Sequence, residues 1–371
     1  MKNNVLVFIF LASTAGVFSQ NASLSPYSYF GFGQSVSNRT AENNAMGGVT
    51  VYADSTQFSL DNPATLGKLD FVQYRFGASY KTASQQSMSA TEYTNNARLN
   101  YLALSIPTKH FAFGFGIKPK TGMGYRLNVV ETINEIENSI LHQGSGGLNS
   151  TFLSLAYNPF QGLSIGASAH YNFGFTERIF TRSVSGIELS TQVFTRSELS
   201  GIQFLLGAHY QTEIREDYQL YLSATFTPSS KLNGTNTRFI STISSTGNTA
   251  TRDVLDLADL AQTTNTLPSQ TSLGIGFGKQ QKWFVGASYN TAKEGLTNPL
   301  EMNTAVSYSS SSRISLGGFY IPQYSSFTNY FKRIVYRTGI RFENMGMNIK
   351  NQAIKDFGIT FGLGLPIGNF S

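Results

Sequence analysis

The sequence predicts an all-β protein: a transmembrane antiparallel β-barrel with an N-terminal plug. Three observations predict this class. Segments of about ten residues alternate between apolar side chains and small or polar ones, as half-buried strands do. Charged residues make up only 13% of the 371 residues, about half their usual share in soluble domains. Glycine is abundant, with 35 residues, and aromatic residues reach 13%.

The composition excludes several other classes. After the N-terminus no run approaches the roughly 18 apolar residues of a membrane-spanning helix. The absence of cysteine excludes disulfide scaffolds, thiolate metal sites and cysteine nucleophiles. The aromatic content is too high for a disordered chain. The formal net charge of +6 is small for an exported chain, so we expect no nucleic-acid partner.

Residues 1–19 have the pattern of a secretory signal peptide. Lys2 provides a short basic start, an apolar run follows over 5–12, and Val17 and Ser19 suit a cleavage site before Gln20. The apolar run is too short to anchor the chain in a membrane. We therefore expect Sec-type export to the outer membrane, and exclude 1–19 from the fold.

The segment 163–175 shows the alternation most fully. Its odd positions are all apolar, and its even positions are serine, glycine, histidine or asparagine. A soluble sandwich would place long charged residues on the outward face, whereas a barrel turns the apolar face to lipid and the small, polar face to the lumen. The barrel is therefore the better interpretation.

Twelve such strands are readable. Their centres lie near Ala78, Leu104, Phe113, Leu155, Ala167, Leu206, Leu222, Ile275, Ala287, Leu316, Ile340 and Phe361. Long connections are predicted at 82–96, 119–149, 177–195, 229–269 and 294–312, and short turns at 107–110, 158–162, 213–216 and 279–282. Outer-membrane barrels have long external loops and short periplasmic turns, which places the short turns in the periplasm.

Residues 20–70, which we call the hatch segment, lack sustained alternation but carry many aromatic residues. A disordered tail is one interpretation. Because the aromatic residues need a surface to pack against, the alternative is a hatch that fills the barrel, which would occupy 71–371. The Tyr27–Phe32 stretch and the turn Asn62, Pro63 and Ala64 are the residues expected inside.

These features together carry a family resemblance. The Gly47-Gly48 pair, the Asn62-Pro63-Ala64 tripeptide, the alternating strands and Gly362–Pro366 resemble the FadL-type outer-membrane transporters. The chain is similar more narrowly to their Bacteroidota relatives, over nearly all of its mature length. The resemblance implies a 14-stranded barrel with an N-terminal hatch that passes hydrophobic molecules. Some such barrels are instead subunits of larger outer-membrane machines.

Fourteen strands in the family and twelve readable here lead us to expect that the chain lacks about one hairpin. The alternative is a native twelve-stranded barrel, which also has an even number of strands. The expected function is passive uptake or binding of small hydrophobic or amphiphilic molecules, with outer-membrane lipid around the barrel. The alternative is an accessory or structural subunit of an outer-membrane protein complex.

Two external segments, 129–141 and 253–260, place apolar residues at helical spacing and predict short amphipathic helices. Such helices either pack on each other and cap the barrel or form a ligand groove. The groove would use Ile133, Ile136 and Leu260 as ligand-binding residues.

The inward phase of two strands places Arg75, Arg337 and Arg341 in the lumen, beside Glu343. One interpretation is that these arginines pair with Glu343 and with hatch acids such as Glu42 or Asp61. The other is that an arginine binds the carboxylate of an amphiphilic ligand, because its planar fork suits that group.

No motif indicates an enzyme, a cofactor or a metal. The four histidines show no ligand spacing, and no Gly-x-Ser-x-Gly elbow is present. The glycines of 274–279 fall on one strand face and do not end in the Gly-Lys-Ser/Thr of a phosphate loop. They are better interpreted as a small lumen face that leaves room for the hatch segment.

Overall fold

A computed structural model describes residues 25–36, 39–86, 91–244, 249–255, 257–294 and 306–366. The predicted signal peptide, 1–19, lies outside the described residues. The strands are β1 Gln34–Ser35, β2 Gln73–Gln86, β3 Thr91–Pro107, β4 Phe111–Pro119, β5 Thr121–Ile133, β6 Ile136–Phe160, β7 Leu163–Val184, β8 Leu189–Arg215, β9 Tyr218–Thr227, β10 Ser230–Ser244, β11 Thr249–Val254, β12 Gln262–Leu267, β13 Gln270–Lys279, β14 Trp283–Ala292, β15 Val306–Tyr308, β16 Ser311–Tyr320, β17 Val335–Ile349 and β18 Gln352–Gly364. Helix α1 is Ala41–Ala45, and 3₁₀ helices span Pro26–Tyr29, Pro63–Lys68, Ala258–Leu260 and Tyr330–Arg333. Within these residues no helix has the length and apolar character to cross a membrane.

Twelve of these strands form the wall. They pair antiparallel in the order β2, β3, β4, β6, β7, β8, β9, β13, β14, β16, β17 and β18. Each contains one of the twelve predicted centres, so the strand prediction is confirmed. The fold is that of a β-barrel of the outer-membrane type.

The two faces of the wall differ as the alternation predicts. In β7, Ser164, Ser168 and Asn172 are buried, whereas Ile165 and Tyr171 are exposed. The same exposed apolar face continues on the neighbouring strands. So large an apolar surface suits lipid rather than water.

The predicted short turns are confirmed, but the predicted long connections at 82–96, 119–149, 177–195 and 229–269 are mostly strand. Most of the fifth, residues 295–305 of 294–312, lies outside the described residues. The wall turns at 108–110, 161–162, 216–217 and 280–282 are two or three residues long. The segments 119–149 and 177–195 belong largely to β5–β8, and β6 alone has 25 residues. The prediction of loops there was wrong because the backbone ladder of these hairpins continues past the predicted spanning length.

The predicted helix over 129–141 is also wrong, since this segment is the β5–β6 hairpin. Its turn residues Asn134 and Glu135 have φ of 51° and 65°. Val129 pairs directly with Ile140, and Ile133 with Ile136. The spacing of these four residues along the sequence therefore fits one face of a helix and, equally well, the facing pairs of a hairpin. The ladder with β7 decides between the two.

The second predicted helix, over 253–260, is reduced to a single 3₁₀ turn. Strand β11 runs through Val254, and the turn spans Ala258–Leu260. Pairing of β11 with β10 in register takes up the first part of the segment, and too few residues follow to form a helix.

The hatch segment packs against the inward face of the wall. Met46, Val49 and Val51 are fully buried with Phe284 and Phe319 of the wall. Two other buried clusters join Phe58, Leu60 and Leu66 to β3, β4 and β6, and Phe32 to β6, β8, β10 and β12. These contacts hold the hatch segment against the lumen side of the wall.

Inward glycines allow this close approach. A Cβ added at Gly339 would overlap the backbone of Met46 and Gly47, and one at Gly317 would overlap Met46. Gly274 similarly lies beside Val51, as the interpretation of 274–279 as a small lumen face requires.

Candidate ligand-binding site

The wall is interrupted between β4 and β5. Strand β4 ends at Pro119, which has no backbone N–H to continue the ladder. Opposite the break, Gly146 and Gly147 of β6 have φ of 109° and 145°, in the region that favours glycine. The Lys120 N–H donates to the Leu148 carbonyl at 2.7 Å, which joins the two strands across the interruption.

Strands β3 and β5 diverge at this break. One edge of β3 pairs with β2 from Thr91 to Ser105. Its other edge pairs with β4 only from Leu102 to Pro107. β5 pairs with β6 from Met123 to Ile133. Over the described ranges no register joins β3 to β5, so one edge of β5 faces the gap.

The hatch segment occupies the start of that edge. Gln34 and Ser35, which form β1, pair with Gly122 and Thr121. Further along, the Ser28 hydroxyl donates to the Gly124 carbonyl and accepts from the Gly124 N–H, both at 3.1 Å. The hatch segment thus satisfies backbone groups that a neighbouring wall strand would otherwise pair with.

A cavity of about 430 Å³ lies beside this edge. Its walls come from the ends of β2 and β3, from β5, β6 and β7, and from the start of the hatch segment. The lining residues are Ser25, Pro26, Gln85, Glu92, Thr94, Gly124, Tyr125, Arg126, Leu127, Gln143, Gly144, Ser145, Glu177 and Ile179.

The lining is amphipathic. Leu127 and Ile179 supply apolar surface, whereas Arg126, Glu92 and Glu177 supply charge. Glu177 accepts from Arg196 at 2.7 Å, so its charge is already compensated. Such a surface can bind an elongated molecule with one apolar and one polar end.

Tyr125 lines the cavity and packs against other aromatic rings behind it. The Tyr125 ring lies directly over Gly144, where a Cβ would collide with it. Tyr29 of the hatch segment packs edge-on against Tyr125, with ring centroids 5.1 Å apart, and lies 5.5 Å from the His142 ring.

A separate group of ion pairs anchors the hatch segment. Arg75 contacts Glu42 at 3.0 Å, as one of the two interpretations of the arginines expects. Asp61 contacts Arg39 at 3.1 Å and Lys118 at 3.7 Å. Arg75 also donates to the Thr56 carbonyl and lies 4.8 Å from the centre of the Phe58 ring.

These pairs outweigh the effect of burial on the hatch acids. Burial raises the pKa of Glu42, but Arg75 and nearby hydrogen bonds bring it below its usual 4.5. Burial likewise raises the pKa of Asp61, and Lys118 and Arg39 bring it below 3.8. Both carboxylates therefore stay charged, which favours their ion pairs.

The other predicted arginines do not join Arg75 in one site. Arg341 pairs with Asp356 at 2.9 Å, and not with Glu343, which pairs with Arg313. Arg337 has no acidic atom within 4.0 Å among the described residues. No described contact places these arginines at the cavity.

The predicted ligand groove is not formed. Ile133 and Ile136 lie opposite each other at the tip of the β5–β6 hairpin, and each is 48% exposed. Leu260 lies in the 3₁₀ turn, where its carbonyl accepts from Asn236 of β10 at 2.7 Å. Without the two helices, no contact among the described residues brings these three side chains together.

The Asn62, Pro63 and Ala64 turn packs on the wall. The Asn62 side-chain amide donates to the Ala208 carbonyl at 3.1 Å, and its oxygen accepts from the Ala64 N–H at 3.0 Å. Ala64 lies against Gly166 of β7.

Within the described ranges no three His, Asp or Glu side chains are grouped to hold a metal ion. The cavity itself was missed by sequence reasoning. Pro119 at the end of an alternating segment, together with the Gly146-Gly147 pair on β6, is the signal that could have indicated a broken strand pair.

The fold is similar to that of FadL-type outer-membrane β-barrels of known structure. The P. putida toluene transporter TodX has 16% identity and a TM-score of 0.56, with 89% of each chain covered. The monoaromatic hydrocarbon channel CymD has 14% identity and a TM-score of 0.54, with 89% of each chain covered. A Pseudomonas aeruginosa FadL homologue has 13% identity and a TM-score of 0.51, covering 91% of this chain and 88% of its own. At these identities the likeness shows the fold.

The chain belongs to the BamG family, whose sequence profile matches residues 1–371. No match was found among curated proteins. The narrower resemblance to Bacteroidota relatives stays a prediction.

Proposed function

We propose that the protein resides in the outer membrane, after Sec-type export, and binds or passes small hydrophobic or amphiphilic molecules. The observation that carries this proposal is the 430 Å³ amphipathic cavity beside the divergence of β3 and β5. A molecule entering there would meet the apolar exterior and the polar interior of the wall at one place. The solved hydrocarbon channels of the same fold support this class of ligand.

The test fills the cavity. Thr94 lines it, and its buried hydroxyl has no partner among the described residues, so Thr94→Trp adds bulk without breaking a described contact. We expect this variant, in proteoliposomes, to lose uptake or binding of toluene and of a medium-chain fatty acid. Tyr93→Trp is the matched control, because Tyr93 is exposed on the opposite face of β3. Unchanged uptake in a folded Thr94→Trp variant would contradict the proposal.

A second candidate is an accessory or structural subunit of an outer-membrane protein complex, which membership of the BamG family permits. The observation that favours it is the projection of the β5–β6 hairpin. β6 has 25 residues, whereas about 9–11 residues cross the hydrocarbon. The projecting tip exposes Val129, Ile133 and Ile136 on one face of the hairpin, an apolar patch beyond the length that crosses the hydrocarbon.

The two candidates are separated by a double variant. Ile133→Asp with Ile136→Asp would weaken co-purification with a partner protein in mild detergent but leave ligand uptake unchanged. Thr94→Trp would have the opposite effects. Co-purification of the same proteins by native chain and double variant would contradict the subunit role of this tip.

A further inference from the structure

Buried polar groups without partners lie side by side on the inward faces of β7 and β8. His170 is directly opposite Gln203, and Asn172 is two residues along the same face of β7. Their exposed fractions are 7%, 5% and 0%. Among the described residues, both amide atoms of Asn172, Nε2 of Gln203 and Nε2 of His170 have no hydrogen-bond partner.

Such a group is costly unless something is bound to it. A buried polar atom left without a partner costs about 1–3 kcal/mol. Native structures contain few of these atoms, and four in one place call for an ion or water that binds them. The sign of the charges around the group decides whether an anion, a cation or water is the better ligand.

The surroundings carry excess positive charge. Lys120, at the β4–β5 break, donates to Oε1 of Gln203 and has no carboxylate within 4.0 Å among the described residues. Its neighbour Lys118 shares a single carboxylate, Asp61, with Arg39. Three basic residues thus share one acid, and Lys120 is the one with no carboxylate beside it. Burial, together with the charge of Lys118, lowers the pKa of Lys120 to about 7, so an anion bound beside it would stabilise its charged form.

Three of the four free atoms can donate hydrogen bonds, and only the fourth, Oδ1 of Asn172, is restricted to accepting. Because Oε1 of Gln203 accepts from Lys120, the free Nε2 is a donor. Nδ1 of His170 is 3.2 Å from the Ser150 hydroxyl, and when that hydroxyl donates, Nε2 carries the hydrogen. The Asn172 amide adds further donor capacity.

We propose that Lys120, His170, Asn172 and Gln203 form a binding site for a small monovalent anion, either a halide or a carboxylate group. Water would satisfy the donors but would leave the charge of Lys120 uncompensated in a half-buried place. An anion satisfies both. The site is separate from the β3–β5 cavity, since it shares no residue with that lining, and it does not depend on transport.

The first experiment uses the full chain purified in detergent. Melting temperature is measured in increasing sodium bromide or sodium acetate, against sodium isethionate at equal ionic strength as a bulkier anion. We expect bromide, acetate or both to raise the melting temperature in a saturable way. Which of them does so distinguishes a halide site from a carboxylate site. Crystals soaked in bromide should show an anomalous peak between Lys120, Gln203 and Asn172.

Gln203→Glu is the decisive variant, because it supplies a carboxylate beside Lys120 with little change in shape. We expect it to fold and to bind bromide and acetate at least about 10-fold more weakly. Lys120→Met, which removes the charge, should lose the response as well. Lys68→Gln is the control, since Lys68 bonds to the Gly162 carbonyl elsewhere in the lumen. Ordered water at the site with no saturable response to either bromide or acetate, or an unchanged response in Gln203→Glu, would overturn the proposal.

Discussion

The Ser28 hydroxyl and the backbone of Gly124 exchange two hydrogen bonds, each 3.1 Å long. A side chain of the hatch segment therefore takes the place of a neighbouring strand at the edge of β5. The Ser35 backbone also pairs with this edge, opposite Thr121, which precedes Gly124 by three residues on β5. Any displacement of the hatch segment would free this edge and change the wall beside the cavity.

Removal of the Ser28 hydroxyl should loosen this contact. Ser28 is fully buried, and Ser28→Ala leaves both polar groups of Gly124 without that partner. We expect a loss of about 1–3 kcal/mol in the free energy of unfolding of the hatch segment. Limited proteolysis within 25–70 measures it. Ser307→Ala, at an exposed position, is the control, and equal cleavage rates in the two variants would contradict the role of Ser28.

A larger side chain at Gly339 should push the hatch segment away from the wall. The added Cβ of Gly339→Ala would meet the backbone of Met46 and Gly47, which cannot move aside cheaply. We expect a destabilisation of about 1–3 kcal/mol, seen as a lower melting temperature and faster cleavage of the hatch segment. Gly358→Ala is the matched control, because its Cβ meets the flexible Arg341 side chain. Similar behaviour of both variants would show that the close approach at Gly339 is unimportant.

The Glu42–Arg75 pair should make stability depend on pH. The pKa of Glu42 is depressed in the folded chain, so its contribution is fully present above its usual 4.5 and is lost as the pH falls through the folded value. Melting temperature between pH 3 and 7 tests this. Glu42→Gln should remove this part of the acid dependence and cost roughly 2–3 kcal/mol at pH 7, because Arg75 loses its partner. Glu216→Gln, in an exposed turn, is the control and should keep the dependence of melting temperature on pH that the native chain has. The same dependence in Glu42→Gln would refute the prediction.

A disulfide should lock the hatch segment to β5. Ser35 and Thr121 are directly opposite each other, and the chain has no cysteine to interfere. With cysteine at both positions, we expect oxidation to reduce ligand uptake and a reductant to restore it, since the edge beside the cavity is then held closed. The control pair is Thr191 with Thr242, opposite each other on β8 and β10. Uptake that is insensitive to the first cross-link would show that the hatch segment need not leave this edge.

The positions of the wall strands were predictable because their signal is local. Lipid on one side and a narrow lumen on the other impose opposite polarity on neighbouring residues, as in Ser164 and Ile165. The alternation can therefore be recognised within the ten or so residues of each wall strand. The length of the hairpins was not predictable in this way, because outside the lipid the outward face is no longer required to be apolar.

The helix over 129–141 was predicted wrongly because the spacing of its apolar residues had two meanings. Val129, Ile133, Ile136 and Ile140 fit one face of a helix, and they fit the facing pairs of a hairpin just as well. Asn134, which tolerates positive φ, and the ladder to β7 decide for the hairpin. The choice depends on a strand more than 40 residues away, which local spacing does not reveal.

The sequence by itself determined the fold class, the twelve strand positions and the inward face on which the glycines of 274–279 leave room for the hatch segment. Polarity and side-chain size are properties of single residues, so they can be read in order. The tertiary structure alone decided the gap between β3 and β5, the partner of each arginine and the grouping of Lys120, His170, Asn172 and Gln203. These depend on the register of strands distant in the chain, because a shift of one residue would turn each of these side chains to the other face.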